Sequence, residues 1–250
     1  MKKILFTTFT ACVSLFALSG YEIAKKADEV TSGFKSSKSV MQMVMINGAG
    51  QKTVRDMRGR TLEKEGGDKS LMEFLSPADV KGTKLLTYQH VNKDDDQWLY
   101  LPALKRVKRI SSRNKSGSFM GSEFSYEDIS SQEVEKYTYP GESVEVPCGD
   151  KICYKGERIP KDKLSGYTKQ ITWVEKDTFL VKKVDYYDRK GSLLKTAVFD
   201  DYKKIDGVWR VGKIRMKNHQ NDKETVLIWV EDKIKVGLSD KEFNKRVLKR

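Results

Sequence analysis

From Ser39 onward the chain consists of short stretches of alternating side-chain character divided by turn residues, and that pattern restricts it to sheet architectures. Met41, Met43 and Met45 alternate with Gln42 and Val44, and 53–60 alternates again before Gly66-Gly67. The apolar runs 71–75, 85–91 and 97–101 are separated by Ser76-Pro77, Lys81-Gly82 and the stretch Asn92-Lys93-Asp94-Asp95-Asp96. Later runs, 168–175, 179–188, 192–204, 208–218 and 225–235, are separated by Lys176-Asp177, Lys190-Gly191, Asp206-Gly207 and Asn221-Asp222. Strands of this length at such close spacing predict a large antiparallel meander, either a barrel or a sandwich. Helix is expected over 21–33, with Ile23, Ala27 and Val30 on one face. A second is expected over 240–249, capped by Ser239 and carrying Phe243, Val247 and Leu248 as its apolar stripe. The segment 111–128 is rich in Gly and Ser, has no regular period, and is long for a structureless loop, so it reads as functional or mobile.

The first 20 residues read as an address. Lys2 and Lys3 precede an apolar run from Ile4 to Leu18 and then Ser19-Gly20. This is the pattern of a signal peptide cleaved after Ser19 or Gly20, and the run is short of the ~20 residues that span a bilayer. An uncleaved anchor is the alternative. The mature chain, 21–250, is then one exported domain long enough to bury a core of its own. Loss of Cys12 leaves Cys148 and Cys153, an even pair that reads as a disulfide closing a six-residue loop. Chain entropy makes such a bond worth about 2 kcal/mol. A redox-active pair is the competing reading, but the spacing is not Cys-x-x-Cys.

Several chemistries are absent. Two histidines and 3 cysteines leave no polyhistidine metal centre or zinc module. No nucleophile elbow, phosphate-binding loop or dinucleotide fingerprint occurs. His90 and His219 stand alone; Asp94-Asp95-Asp96 lacks the glycine and distal Glu of a calcium loop and reads as a solvated turn. Ser112-Arg113-Asn114-Lys115 matches Ser-x-x-Lys without its companion motifs. No catalytic residue, metal or cofactor is predicted.

Two features point towards ligands. Five of the 8 methionines lie between residues 41 and 72: Met41, Met43, Met45, Met57 and Met72. Methionine adapts to irregular guests, so a sheet face lined this way could hold acyl chains; a core that uses Met is the plainer alternative. The stripe Leu104 to Ile110 carries Lys105, Arg106, Lys108 and Arg109 without an acid, and Lys+Arg 48 against Asp+Glu 35 makes the whole chain +13. It suits phosphate head groups or an acidic protein surface, or is an edge strand kept basic against edge-to-edge pairing. Export argues against nucleic acid as the partner.

The stretch Trp98-Leu99-Tyr100-Leu101-Pro102-Ala103-Leu104-Lys105-Arg106-Val107-Lys108-Arg109-Ile110, with Gly117-Ser118-Phe119-Met120-Gly121-Ser122-Glu123-Phe124-Ser125-Tyr126-Glu127-Asp128-Ile129, resembles the outer-membrane lipoprotein-sorting protein family, the LolA-like group. Tyr186 to Thr196 and Asp206-Gly207-Val208-Trp209 extend the resemblance over nearly all of the mature chain. It implies a periplasmic protein, mainly β, whose single antiparallel sheet curls into an unclosed half-barrel. A few helices and loops would serve as its lid. It further implies a monomeric carrier of lipid or lipoprotein acyl chains, served by an inner-membrane RND-type transporter and an outer-membrane acceptor, with no catalytic residues. The alternative it leaves is a lipid-sensing or adaptor protein of the envelope. The expected lining is Met41, Met43, Met45, Met57, Met72, Phe74, Leu86, Leu99 and Leu101, with the basic stripe facing a head group or partner.

Overall fold

The computed structural model describes residues 18–130 and 133–249 of the 250. The first half holds β1 (Ser36–Ile46), β2 (Lys52–Leu62), β3 (Lys69–Phe74), β4 (Lys84–Tyr88), β5 (Asp96–Leu101) and β6 (Arg106–Ile110). After a long connection come β7 (Tyr137–Thr138), β8 (Val144–Cys148), β9 (Lys151–Pro160), β10 (Lys169–Glu175), β11 (Val181–Tyr187) and β12 (Leu193–Asp200). The last are β13 (Lys203–Ile205), β14 (Val208–Arg210), β15 (Lys213–Asn218) and β16 (Glu224–Ile234). Among the described residues two α-helices accompany them, α1 (Gly20–Glu29) and α2 (Tyr126–Ile129).

Fourteen strands form one antiparallel sheet in the order β6-β5-β4-β3-β2-β1-β16-β15-β12-β11-β10-β9-β7, with β8 also on β9. The sheet does not close into a barrel. β1 sits mid-sheet because it pairs on both sides, Met43 lying opposite Arg55 of β2 and Leu227 of β16. The first and last long strands are thereby joined, and both free edges come from the middle of the chain. Alternation then sets the two faces. Met41, Met43, Met57, Phe74, Leu85, Leu99, Val184, Ala197, Met216 and Leu227 turn inwards; Leu71, Leu86 and Trp98 turn outwards.

The run 208–218 divides into β14 and β15 at Gly212. The chain there passes so close to Asp201 that a Cβ would lie 2.4 Å from its carbonyl oxygen. β14 therefore leaves the main sheet and forms a two-stranded ribbon with β13. The C-terminal helix is also corrected. Ser239 and Glu242 do form a capping box, but the segment is two 3-10 turns, Asp240–Phe243 and Lys245–Lys249, broken at an extended Asn244. Phe243 and Leu248 are both fully buried against the outer cluster of Leu71, Leu86 and Trp98. Five residues apart, they would point about 140° apart on an α-helix, so the break is what brings both onto the sheet.

The predicted signal segment, 1–20, lies outside the described residues up to residue 17. Ser19 is the N-cap of α1: its hydroxyl accepts from the Glu22 amide, and its own amide donates to the Glu22 carboxylate at 2.8 Å. The helix stops at Glu29, short of the expected 33. The Thr31 hydroxyl donates to the carbonyls of Ala27 and Asp28 there, and Gly33 turns the chain with φ 89° into β1. Cys148 and Cys153 are bonded across the β8–β9 hairpin, as their isolation as a pair suggested.

Candidate functional site

Eight of the nine expected lining residues gather on the inner face. Met41, Met43, Met57, Phe74 and Leu99 are buried in one cluster, with Met45, Met72 and Leu101 packed against it. Leu86 is the exception: next to the inward Leu85, it faces outwards under Phe243 and Leu248. The methionine face is not empty, however. The segment between β6 and β7 crosses it and places Phe119, Phe124, Met120, Tyr126 and Ile129 in the same cluster, with Phe119 fully buried. Its ring lies 5.7 Å from that of Phe74 and 5.6 Å edge-on to that of Tyr126.

Polar contacts hold this segment down. Ser125 and Asp128 form the capping box of α2. Asp128 meets the ammonium of Lys195 on β12 at 2.5 Å, with the two side chains only 3% and 5% exposed. It also accepts from the Tyr167 hydroxyl at 2.8 Å, and burial beside Asp128 and Glu127 pushes that phenol well above its ordinary range. Lys195 further donates to the carbonyl of Glu123, and the Glu123 carboxylate accepts from Asn218 at 2.7 Å. Arg55 donates to the carbonyl of Met120 at 2.6 Å, and Gln97 to that of Tyr126 at 3.0 Å. The segment 111–128 is thus a pinned filler, and its Gly and Ser residues serve tight turns: Met120 and Gly121 have φ of 52° and 78°.

Beyond the filler, the inner face stays open. α1 lies across β9–β11 and roofs a cavity of about 340 Å³, at the lower end of the ~300–1,000 Å³ usual for small-molecule sites. Ile23, Ala24 and Ala27 come from the helix, and Val174, Val181 and Val184 from β10 and β11. Tyr154, Tyr186, Tyr202, Trp209 and Trp229 complete a largely aromatic wall. Val184 and Tyr186 belong to the filled cluster as well, so the cavity is the unfilled remainder of one interior.

Both arginines around it are engaged. Arg158 donates to Gln170 at 2.8 Å and stands 4.4 Å over the Tyr137 ring. Arg210 meets Asp232 at 2.6 Å and stands 4.5 Å over Phe34. Burial, with Glu135 and Glu63 nearby, pushes the carboxyl of Asp28 up. The Tyr202 hydroxyl donates to the Val181 carbonyl at 2.8 Å, and burial raises that phenol too. α1 is tied at each end, by a bridge between Ser19 and Glu142 and by the Trp209 amide donating to Val30 at 3.0 Å. None of the nine expected lining residues borders this cavity. The signal that could have found it was the apolar face of α1 together with the C-terminal aromatics Trp209 and Trp229.

The basic stripe lies along the free edge of the sheet. Lys105 takes a left-handed turn with φ 48°, and Arg106, Lys108 and Arg109 are exposed on β6. Arg109 reaches Asp96 at 2.5 Å on the outer side, opposite Trp98, whereas Lys108 pairs with the inward Leu99, so the stripe is split between faces. Ion pairs bridge the gap to the other edge: Lys136 meets Asp95 at 2.6 Å, and Lys115 meets Asp162. A polar cavity of about 430 Å³ lies along that seam. Asp94 and Asp95 line it, whereas Asp96 faces His90 at 3.2 Å. Among the described residues no group of three His, Cys, Asp or Glu is arranged to hold a metal, and His219 meets the Thr196 hydroxyl at 2.8 Å.

A family model described only as an uncharacterized protein matches residues 66–250. No curated protein matches. Among solved structures, one provisionally described as an outer membrane lipoprotein-sorting protein domain from Vibrio parahaemolyticus is 48% identical. Its TM-score is 0.89, over 92% of this chain and 98% of that one. A DUF1329 family protein from Desulfovibrio piger is 37% identical, with a TM-score of 0.87 over 92% and 97%. A LolA superfamily protein from Nitrosomonas europaea, 23% identical with a TM-score of 0.74 over 92% and 100%, is alike in fold.

Proposed function

Because this chain belongs to the family of that lipoprotein-sorting protein domain and the DUF1329 proteins, built on the LolA-like fold, we propose that it is a periplasmic carrier of lipid acyl chains. The observation that carries the reading is the apolar cavity beneath α1. Each methylene moved there from water is worth about 0.8 kcal/mol. The aromatic and aliphatic walls supply contact without demanding a polar partner. α1 is the movable element, since Ile23 and Ala27 are its only buried side chains. The signal segment delivers the chain to the envelope, and the protein works as a monomer without a catalytic step. Lys105, Arg106, Lys108 and Arg109 orient it against a phosphate head group or an acidic partner, supported by their exposure along one edge. An RND-type transporter is the donor and an outer-membrane protein the acceptor that the family resemblance implies.

The test is direct. Protein made in a periplasm is extracted, and co-purified lipid is identified by mass spectrometry, then offered to acceptor vesicles. Retained lipid that transfers is the expected result. Lipid that binds but never transfers would make the protein a sensor, and protein that emerges free of lipid and takes up none would end the reading. Ala27→Trp, which fills the roof of the cavity, should abolish retention without changing the circular dichroism spectrum.

A further inference from the structure

Resting on the reading that the basic edge meets a partner, we propose that β6 accepts an extended acidic segment of another protein as an added strand, with acids two residues apart opposite Arg106 and Lys108. β6 ends the sheet and has β5 as its one strand neighbour. Backbone groups along a strand alternate between its two sides, so β6 carries unpaired N–H and C=O groups along its outer edge, the template on which strand addition works. Among the described residues no backbone hydrogen bond joins 106–110 to a segment other than β5. The ion pairs across the seam lie at the Ile110 end, and Arg106, Lys108 and Arg109 are exposed.

The other end of the sheet is guarded differently. β7 is two residues long, and β8 carries Pro147 and is stapled to β9 by the disulfide. Short strands and proline refuse any added strand, whereas charge refuses only some. A second copy is refused: antiparallel pairing centred on Val107 would set Lys105 opposite Arg109 and Arg106 opposite Lys108, and like charges repel across a strand pair. An acidic strand turns the same residues into attractions. Parity then fixes the pattern it needs. Arg106 and Lys108 lie opposite Leu101 and Leu99 on the concave side, and neither makes an ion pair among the described residues, whereas Arg109 on the convex side is held by Asp96. Between them Val107 turns to the convex side, half-buried with Trp98 and Tyr100. The segment that fits is therefore acid, apolar, acid, with the apolar residue beside Val107.

The full protein is titrated by calorimetry with a terminally blocked peptide built on Thr-Glu-Val-Glu-Thr, with its counterpart Thr-Lys-Val-Lys-Thr, and with vesicles of dioleoyl phosphatidylglycerol. The acidic peptide should bind, and the lysine peptide at least about tenfold more weakly. Arg106→Glu with Lys108→Glu should reverse that order, and both positions are exposed, so the double variant keeps the fold. N-methylating the acidic peptide at alternate residues separates strand pairing from charge. Of the two phases, the one that sets its methyls in the ladder should cost at least about tenfold, and the other should stay within about threefold of the parent peptide. Two phases that bind alike, or an order unmoved by the charge swap, overturn the proposal. Vesicles that bind through Arg106 and Lys108 while the acidic peptide does not would make the edge a head-group site and overturn it too. Co-purified lipid is read in the same preparations. A failed peptide with lipid retained removes this inference and leaves the carrier reading, and a bound peptide on protein that never holds lipid does the reverse.

Discussion

Replacing Lys195 with Met should loosen the 117–130 segment while leaving the sheet folded. The ammonium meets Asp128 at 2.5 Å, and both side chains are almost wholly removed from water. Removing one member of such a pair leaves the other charge buried, at a typical cost of ~3–5 kcal/mol. Asp128 keeps the Tyr167 hydroxyl and the Ser125 amide, which places the cost towards the lower figure. The loss falls on local opening, because the β12 ladder to β11 and β15 does not depend on the Lys195 ammonium. At ~3 kcal/mol the open population rises by about 10²-fold. Hydrogen exchange reads this directly at the amides of Phe119, which donates to Phe124, and of Tyr126, which donates to Gly117. Their protection should fall about 10²-fold while β1 and β16 amides stay unchanged. Adding Asp128→Asn should restore at least half of the loss, since an amide keeps the acceptor for Tyr167 without a stranded charge. Protection at Phe119 within threefold of the parent, or strictly additive single and double variants, would refute the role given to the pair.

Other consequences are separate from that pair. Reducing Cys148–Cys153, or replacing both by Ala, should lower unfolding stability by about 2 kcal/mol, measured by urea denaturation with and without reductant. Burial, with Glu133, Glu63 and Asp28 around it, pushes the Asp68 carboxyl up to about 7 against the Lys64 amide that favours its ionised form. The folded protein then holds a proton that the unfolded chain has released, so stability falls as pH rises from about 4 to about 7. Asp68→Asn should flatten that slope in denaturation curves taken across the window. Met43→Lys sets a charge at a fully buried position opposite Arg55, and should cost ~3 kcal/mol or more, seen as a lower melting temperature.

The turn residues and alternation made the strands legible, because side-chain parity in a strand is a local property. Ile23 and Ala27 marked the buried face of α1, and Cys148 and Cys153 their own bond, for the same reason. The limits of that local signal show at particular residues. Leu86 faces outwards, against expectation, because parity across separate strands depends on register, which turns on pairing partners and not on the run itself. The C-terminal stripe of Phe243, Val247 and Leu248 looked helical, yet the outer face it covers required two residues five apart to point the same way. The methionine row faces inwards and is covered by Phe119 and Phe124.

The linear order of residues therefore determined that this protein is built of antiparallel strands with an apolar face, since period two and turn chemistry are written within a few residues of each other. Only the tertiary structure decided which part of that interior is occupied. Phe119 and Phe124 reach strands far from them in the chain, held there by Lys195 on β12 and Arg55 on β2. Filling a concave face is a competition among distant segments for the same apolar surface. No local pattern records who wins it.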